Sequence, residues 1–418
     1  MEENIKNILI VGKGAVASAL AKKLKQNSGI EKIFVAPGNG VESDSYFNID
    51  LREEDLTGLL KFVLEHEIDL TVPVSERALK SDIVSFFLSN GQNIFGPSKQ
   101  ACNIAINKAS GKKFIYRLRA QTSRFGIFDK AQAAEEYLSN ATFPVTIRTY
   151  ECSSILDDML VCPTMSIAKE FLSNLTLKNE TDILVDEYTF GQSFTLYFIT
   201  DGYSAVELTS VANYKFTEDG NSGILTNGIG AIVPGPFVSQ NVMERVRNIV
   251  VSTLNILERK GSPYVGILGV EGIYTYDDKF YISEFKPFLQ EHDAAAVLKL
   301  VDDDLIRIFK ACIDGYFADE YEMIKMNDYT SVSATVLSCK ENKVVKGLEM
   351  AENFEDIDFS GILKSEEGEY VTSKGEVFTI SRMASTLSRA RDYLYEDLGQ
   401  IQFDGIKYRK DIASEYRY

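Results

Sequence analysis

The sequence predicts an α/β protein that begins with a doubly wound parallel sheet and ends in a smaller β-rich domain. Three observations carry this expectation. Short apolar strands alternate with amphipathic helical stretches through residues 7–95, the pattern of consecutive βαβ units. Two β-branched and aromatic strands meet at Asp277-Asp278, which reads as a hairpin. The last part of the chain returns to strand-like patterning at 332–338 and 373–382, followed by a helical stretch at 386–398. At 418 residues the chain is too long for one ordinary core, so about two to four domains are expected.

Taken in order, a strand at 7–11 (N-I-L-I-V) runs into Gly12-Lys13-Gly14 and then a helix with Val16, Leu20 and Leu24 on one face. A strand, a Gly-rich turn and a helix place helix N-terminal amides where an anion can sit. The third glycine of the dinucleotide fingerprint is absent, because Ala17 stands there. A second strand at 32–36 ends in Pro37-Gly38-Asn39-Gly40. Helix 53–65 leads to strand 70–74, and helix 82–90 leads to strand 93–95, so the first domain ends near 97–100. A helical segment follows at 101–119, then short elements up to about 182. Residues 183–188 are apolar and then acidic (I-L-V-D-E-Y), with Gly191 and a β-rich run at 193–199 beyond them. Residues 213–231 are rich in Gly, Asn and Asp and read as a long loop, either functional or merely flexible. A helix at 240–259 precedes the hairpin, and another follows at 302–311.

Composition excludes several classes. Hydrophobic content of 45% and charged content of 25% are those of a soluble globular chain. No segment has the ~18 consecutive apolar residues of a membrane span, and the charged start M-E-E-N-I-K-N does not read as a secretory signal. A cytoplasmic setting with no membrane partner is expected. Cys102, Cys152, Cys162, Cys312 and Cys339 form no CxxC pair. Histidine occurs only at His66 and His292, so a zinc site is not expected. The net charge of −17 argues against nucleic acid, though a locally positive pocket for a phosphorylated small molecule remains compatible with it.

The hairpin at 266–286 carries the sharpest chemical signal. A two-residue loop at Asp277-Asp278 pairs Tyr276 with Lys279, Ile273 with Ile282 and Glu271 with Glu284. Facing residues have Cβ atoms roughly 4.5–5.5 Å apart, and like charges there repel. Two buried carboxylates so placed call for a cation, and oxygen ligands favour magnesium or manganese. The alternatives are an exposed hairpin with solvated acids, or a register one residue off.

The segments N-I-L-I-V-G-K-G, V-A-P-G-N-G, I-D-L-T-V, I-F-G-P-S, D-E-Y-T-F-G, N-S-G-I-L-T-N-G-I-G-A and Y-R-K-D-I occur in order along nearly the whole chain. In this the chain resembles the phosphoribosylamine–glycine ligase family, ATP-grasp ligases of purine biosynthesis. The resemblance implies a phosphoribosyl-binding-like α/β domain (1–100), a linker and small ATP-grasp lid (101–182), an ATP-grasp core (183–325) and a C-terminal β-rich domain (326–418). It also implies the reaction: ATP activates glycine as an acyl phosphate, which the amine of phosphoribosylamine attacks. ATP with magnesium or manganese and these small molecules are the expected cofactors and partners.

Several site residues are implied by the same resemblance. Lys108 and Arg148 match two phosphate-contacting cations, the second being arginine where the family has lysine. Asp186, Glu187 and Tyr188 match the segment gripping adenine, and Gln192 stands where a ribose-binding acid is usual. Arg148 and Lys215 are the candidate catalytic cations. Ser222, Gly223, Thr226 and Gly228 match the segment that holds the small carboxylate. Gly12, Gly14 and Glu76 match the phosphoribosyl site, although the side chains after the turn have become Val16, Ala17 and Ser18. Glu284 matches a metal-binding glutamate, and Glu271 completes the acidic pair found in ATP-grasp enzymes at large.

Departures concentrate on the phosphate side. The Gly-containing flap expected after Arg148 reads C-S-S-I-L-D-D-M at 152–159, with two acids and no glycine. Lys286 replaces an asparagine two residues after Glu284. With three donors and no acceptor, a lysine ammonium cannot ligate a metal. On the hairpin register it faces Gly269, sits against Glu284 and leaves room for at most one tightly bound divalent ion; the alternative is that it points to solvent. The sequence therefore points first to an ATP-dependent carboxylate–amine ligase. Behind it stand a ligase for another carboxylate and amine, and a catalytically reduced relative that binds a nucleotide or metabolite. A dinucleotide oxidoreductase is the weakest of the readings.

Overall fold

The first domain is built on four parallel strands in the order Phe47–Asn48, Lys32–Pro37, Asn7–Gly12 and Leu70–Pro73. The computed structural model of the chain describes residues 5–41, 43–149, 159–177, 183–277, 279–348, 356–365 and 367–416. The central strand N-I-L-I-V-G is apolar throughout because both its faces are covered. Ile8 and Ile10 pack with Val16, Leu20 and Leu24 of the helix Ala15–Lys25. Leu9 and Val11 share the opposite core with Leu59 and Val63 of the helix Leu56–Glu65. That helix begins later than expected, because the Asp55 side chain accepts from the Gly58 amide and caps it there. The strand expected at 93–95 contributes only a bridge, Thr71 to Ile94.

The helical segment at 101–119 is broken into Lys99–Ile106 and Lys108–Arg117. Asn107 causes the break: its extended backbone ends the first helix, and its side chain caps the second by accepting from the Ser110 amide. The lid that follows is a four-stranded antiparallel sheet in the order Phe125–Phe128, Ile183–Glu187, Val145–Thr149 and Met159–Cys162. The helices Ala131–Leu138 and Met165–Leu177 contribute to its core, with Leu138, Ile147, Leu172 and Val185 buried together. Most of the flap at 152–159 lies outside the described residues; Met159 alone is within them.

A nine-stranded sheet forms the rest of the frame. Its path runs Phe280–Lys286, Val265–Tyr274, Gln192–Asp201, Ala205–Glu218, Ser222–Val233, Thr330–Ser338, Gly375–Ala384 and Ile357–Phe359, with Ile406–Lys407 paired beside Thr330–Ser338. The C-terminal strands thus continue the core sheet, joined by the pairing of Gly230–Val233 with Ser331–Ala334.

Two expectations need correction here. Residues 213–231 are not a long loop: they belong to the strands Ala205–Glu218 and Ser222–Val233, joined at a tight turn where Gly220 and Asn221 take positive φ. Pairing on both sides and the burial of Tyr214, Ile229, Ala231 and Ile232 override the weak strand propensity of Gly and Asn. In the hairpin at 266–286, Glu271 faces Glu284 and Gly269 faces Lys286 as the register predicts, but Ile273 faces Tyr281 rather than Ile282. A bulge at Ser283 absorbs one residue, and the turn is correspondingly longer, with the Thr275 amide donating to the Lys279 carbonyl. Asp278 lies outside the described residues.

Candidate active site

The lid, the hairpin and the start of the helix Lys108–Arg117 converge on one buried charge cluster. Strand pairing puts Glu271 and Glu284 side by side on one face of the large sheet. Their four oxygens are all in contact with cationic nitrogens. Lys286 Nζ lies 2.8 Å from Glu284 Oε1 and 3.2 Å from Glu271 Oε2. Lys215 Nζ lies 2.5 Å from Glu271 Oε1 and 3.8 Å from Glu284 Oε1. Lys108 Nζ is 3.0 Å and Arg148 Nη1 3.3 Å from Glu284 Oε2. Ser283, the bulged residue, donates its hydroxyl to Glu271 Oε1 at 3.1 Å.

A second layer extends into the lid. Arg148 Nη2 reaches Asp186 Oδ2 at 3.3 Å, so one guanidinium spans carboxylates of the lid and the core. Lys112, one helical turn after Lys108, sits 3.0 Å from Asp186 Oδ1 and donates to Ser123 Oγ at 3.0 Å. Five cationic side chains therefore meet three carboxylates, leaving an excess of positive charge inside an acidic protein.

The ionisation of the cluster follows from this geometry. Burial alone would raise the Glu271 carboxyl, but Lys215 and Lys286 hold it below its ordinary range. Glu284, likewise penalised by burial, is held well below by Lys108, Lys286, Arg148 and Lys215. Burial would strip the proton from Lys286; Glu271 and Glu284 reverse that and keep it charged. Lys286 fits here because Gly269 faces it: a Cβ at Gly269 would lie 2.9 Å from Lys286 Cβ and 2.7 Å from Tyr197 Cε1.

Arg148, Lys112, Lys215, Glu271 and Glu284 line one wall of a cavity of about 420 Å³. Asp186, Glu187, Tyr188 and Gln192 also line it, together with Arg409, Asp411 and Glu415 of the C-terminal segment. Gln192 Nε2 donates to the Tyr416 hydroxyl at 2.9 Å, which ties that segment to the cavity. Lys286 does not line the cavity and is only 2% exposed; it meets the carboxylates from within the protein.

The remaining expected residues lie elsewhere. Ser222 and Gly223 are exposed near the hairpin tip, where Ser222 Oγ donates to the Asp219 carbonyl. Thr226 is buried and donates to the Lys215 carbonyl at 2.8 Å, bracing the strand that presents Lys215. Gly228, at φ +139°, lies against the His292 ring. Gly12 and Gly14 precede the helix Ala15–Lys25, but its first amides are already engaged: Val16 donates to Glu291 Oε2 at 2.7 Å and Ala15 to Ser360 Oγ at 3.1 Å. Glu76 pairs with Lys80 at 3.5 Å and does not line the cavity. Sequence reasoning missed Lys112 and Arg409. The four-residue spacing from Lys108 is a signal that would have found Lys112.

A divalent ion does not fit between Glu271 and Glu284 as they stand, because each of their oxygens already faces an ammonium or guanidinium. Among the described residues no group of three His, Cys, Asp or Glu side chains is placed to hold a metal ion.

A lid sheet closing over a larger antiparallel sheet, with cationic side chains from both reaching one cavity, defines an ATP-grasp protein. In solved structures the same fold recurs in a phosphoribosylamine–glycine ligase of Thermotoga maritima, at 20% identity and a TM-score of 0.79 over 97% of this chain and 99% of that one. It recurs also in the biotin carboxylase domain of the Hydrogenobacter thermophilus 2-oxoglutarate carboxylase, solved with magnesium ADP and bicarbonate, at 13% identity and a TM-score of 0.72 over 97% and 92% of the two chains. ATP and divalent metal use is general to this fold.

The chain belongs to the phosphoribosylglycinamide synthetase family. The N domain of that family matches residues 6–105, its ATP-grasp (A) domain 106–288 and its C domain 337–415. Phosphoribosylamine–glycine ligase of Clostridium acetobutylicum is 29% identical over 97% of this chain and 99% of its own length. That of Caldanaerobacter subterraneus subsp. tengcongensis is 27% identical over 98% and 100%. No helix among the described residues is long and apolar enough to cross a membrane.

Proposed function

We propose that this protein is an ATP-dependent carboxylate–amine ligase of purine biosynthesis that activates glycine as its acyl phosphate and transfers the glycyl group to phosphoribosylamine. The full-length likeness to phosphoribosylamine–glycine ligases supports the substrates. The observation that carries the chemistry is the convergence of cationic side chains from lid and core on one wall of the cavity, where Arg148 joins the lid to the core through Asp186 and Glu284. In-line transfer of a γ-phosphoryl group needs positioning and charge stabilisation more than covalent participation. Lys112, Arg148 and Lys215 are the cavity-lining side chains that supply them. On this reading adenine lies along Asp186–Tyr188, Gln192 bonds a ribose hydroxyl, and Lys215 faces the reacting carboxylate. A cytoplasmic setting suits a reaction that consumes ATP.

The test is release of ADP and phosphate from ATP with glycine and freshly made phosphoribosylamine, leaving out each component in turn. Release that requires all three supports the reading, and release indifferent to both substrates overturns it. A second reading, a relative that binds the nucleotide without turning it over, is favoured by the complete engagement of the Glu271 and Glu284 oxygens with side-chain cations. Tight ATP binding with no turnover under any substrate combination would select it.

A further inference from the structure

We infer that Lys286 occupies the Glu271–Glu284 pair in place of a divalent ion, so that this protein binds the phosphates of a nucleotide without needing a divalent metal. The inference rests on the nucleotide reading above and goes beyond it in stating what neutralises the acids. Two carboxylates side by side repel and require a cation. Here the cation is tethered: Lys286 Nζ bridges Glu284 Oε1 at 2.8 Å and Glu271 Oε2 at 3.2 Å.

Three features make the arrangement permanent. Lys286 is 2% exposed, so moving its ammonium off the acids would strand a buried charge that has no acceptor of its own. Gly269 faces its stem with no room to spare: a Cβ there would lie 2.9 Å from Lys286 Cβ. The remaining carboxylate oxygens are also taken, Glu271 Oε1 by Lys215 and Glu284 Oε2 by Lys108 and Arg148. A magnesium ion, which demands near-octahedral oxygen ligation at about 2.0–2.1 Å, finds no free oxygen on either acid.

The charge balance points the same way. Five cationic side chains against three carboxylates leave the cluster positive before any ligand arrives. Of these five cations, Lys112, Arg148 and Lys215 line the cavity, while Lys108 and Lys286 neutralise the acids from behind it. With Glu271, Glu284 and Asp186 already offset by side-chain cations, a polyphosphate meets these three cations without a metal ion between. A metal ion placed at the same acids would add positive charge to a site already in excess.

The test is calorimetric titration of the full chain with ADP and with ATP, once in EDTA and once in excess magnesium. The dissociation constants are expected to agree within about threefold. Binding that weakens tenfold or more in EDTA overturns the inference while leaving the nucleotide reading intact. No binding in either buffer overturns both. Lys286→Asn is expected to make affinity depend on magnesium by tenfold or more, and an Asn variant as indifferent to metal as the parent contradicts the role given to Lys286. Manganese counting by electron paramagnetic resonance on the unmutated protein with ADP needs no folded variant. Only the ion that ADP itself carries is expected, at most one per chain, and a second ion would overturn the inference.

Discussion

Replacing Glu284 with glutamine removes one negative charge from the cluster while keeping volume and an oxygen acceptor. Glu284 faces Lys286 at 2.8 Å, Lys108 at 3.0 Å and Arg148 at 3.3 Å. At an effective dielectric of about 20, opposite unit charges ~3 Å apart attract by roughly 5 kcal/mol. Desolvation of each buried ion opposes this, and removing one partner of a buried ion cluster costs about 3–5 kcal/mol net. Because glutamine still accepts a hydrogen bond, the lower end applies: ligand-free Glu284→Gln is expected to lose about 3 kcal/mol of unfolding free energy in urea. The cations it leaves uncompensated should bind inorganic tripolyphosphate more tightly than the unmutated site does, by about tenfold or ~1.4 kcal/mol. The pH dependence has a definite sign. Burial would raise the Glu284 carboxyl, but the surrounding cations hold it well below the ordinary 4.5, so its contribution is present above 4.5 and lost as pH falls through the lower folded value. The variant should therefore lose less stability than the parent below that pH. Coinciding urea midpoints near pH 7, with no gain in tripolyphosphate affinity, would refute the reasoning.

Arg148 donates from separate guanidinium nitrogens to Glu284 and Asp186, so Arg148→Ala should weaken ATP binding about tenfold or more by calorimetry; unchanged affinity would remove it from the phosphate site. Burial pushes the carboxyl of Glu291 up to about 7 and that of Glu376 up to about 8, the latter helped by the charge of Glu291. Such groups favour the folded state fully below 4.5 and lose that contribution as pH rises through their folded values, so Glu376→Gln should gain stability relative to the parent between about pH 5 and 9; a constant difference would argue against it. Gly228→Ala would place a Cβ 2.0 Å from His292 Cε1 at a φ of +139°, and a melting temperature within a degree of the parent would show that this contact yields freely, against an expected loss of about 2 kcal/mol or more.

The parts of the site legible in the sequence were those governed by local periodicity. The two-residue period of a strand places Glu271 opposite Glu284 and Lys286 opposite Gly269, and both pairings occur. The bulge at Ser283 was not legible, since it compensates a turn one residue longer than the Asp-Asp loop suggested. Residues 213–231 read as a loop because Gly and Asn disfavour strands, whereas neighbours far away in sequence, Ser331–Ala334 among them, supply the pairing that holds them extended. The occupant of the helix Ala15–Lys25 amides was invisible for a similar reason: Glu291 lies 275 residues away along the chain. Motif order located the lid, the core and the C-terminal segment in sequence, but only the three-dimensional arrangement brings Arg409 to the cavity and joins the C-terminal strands to the core sheet.

The central claim is that a carboxylate attacks the γ-phosphorus of ATP and that the resulting acyl phosphate is opened by an amine. The carboxylate oxygen that forms the new P–O bond must then leave with inorganic phosphate when the C–N bond forms. Glycine labelled with ¹⁸O in its carboxylate, incubated with ATP, phosphoribosylamine and the enzyme, follows that oxygen directly. The account predicts one labelled oxygen in each phosphate released, together with the amide product detected by mass. Phosphate released without label, or ATP bound and left intact with both substrates present, would contradict it.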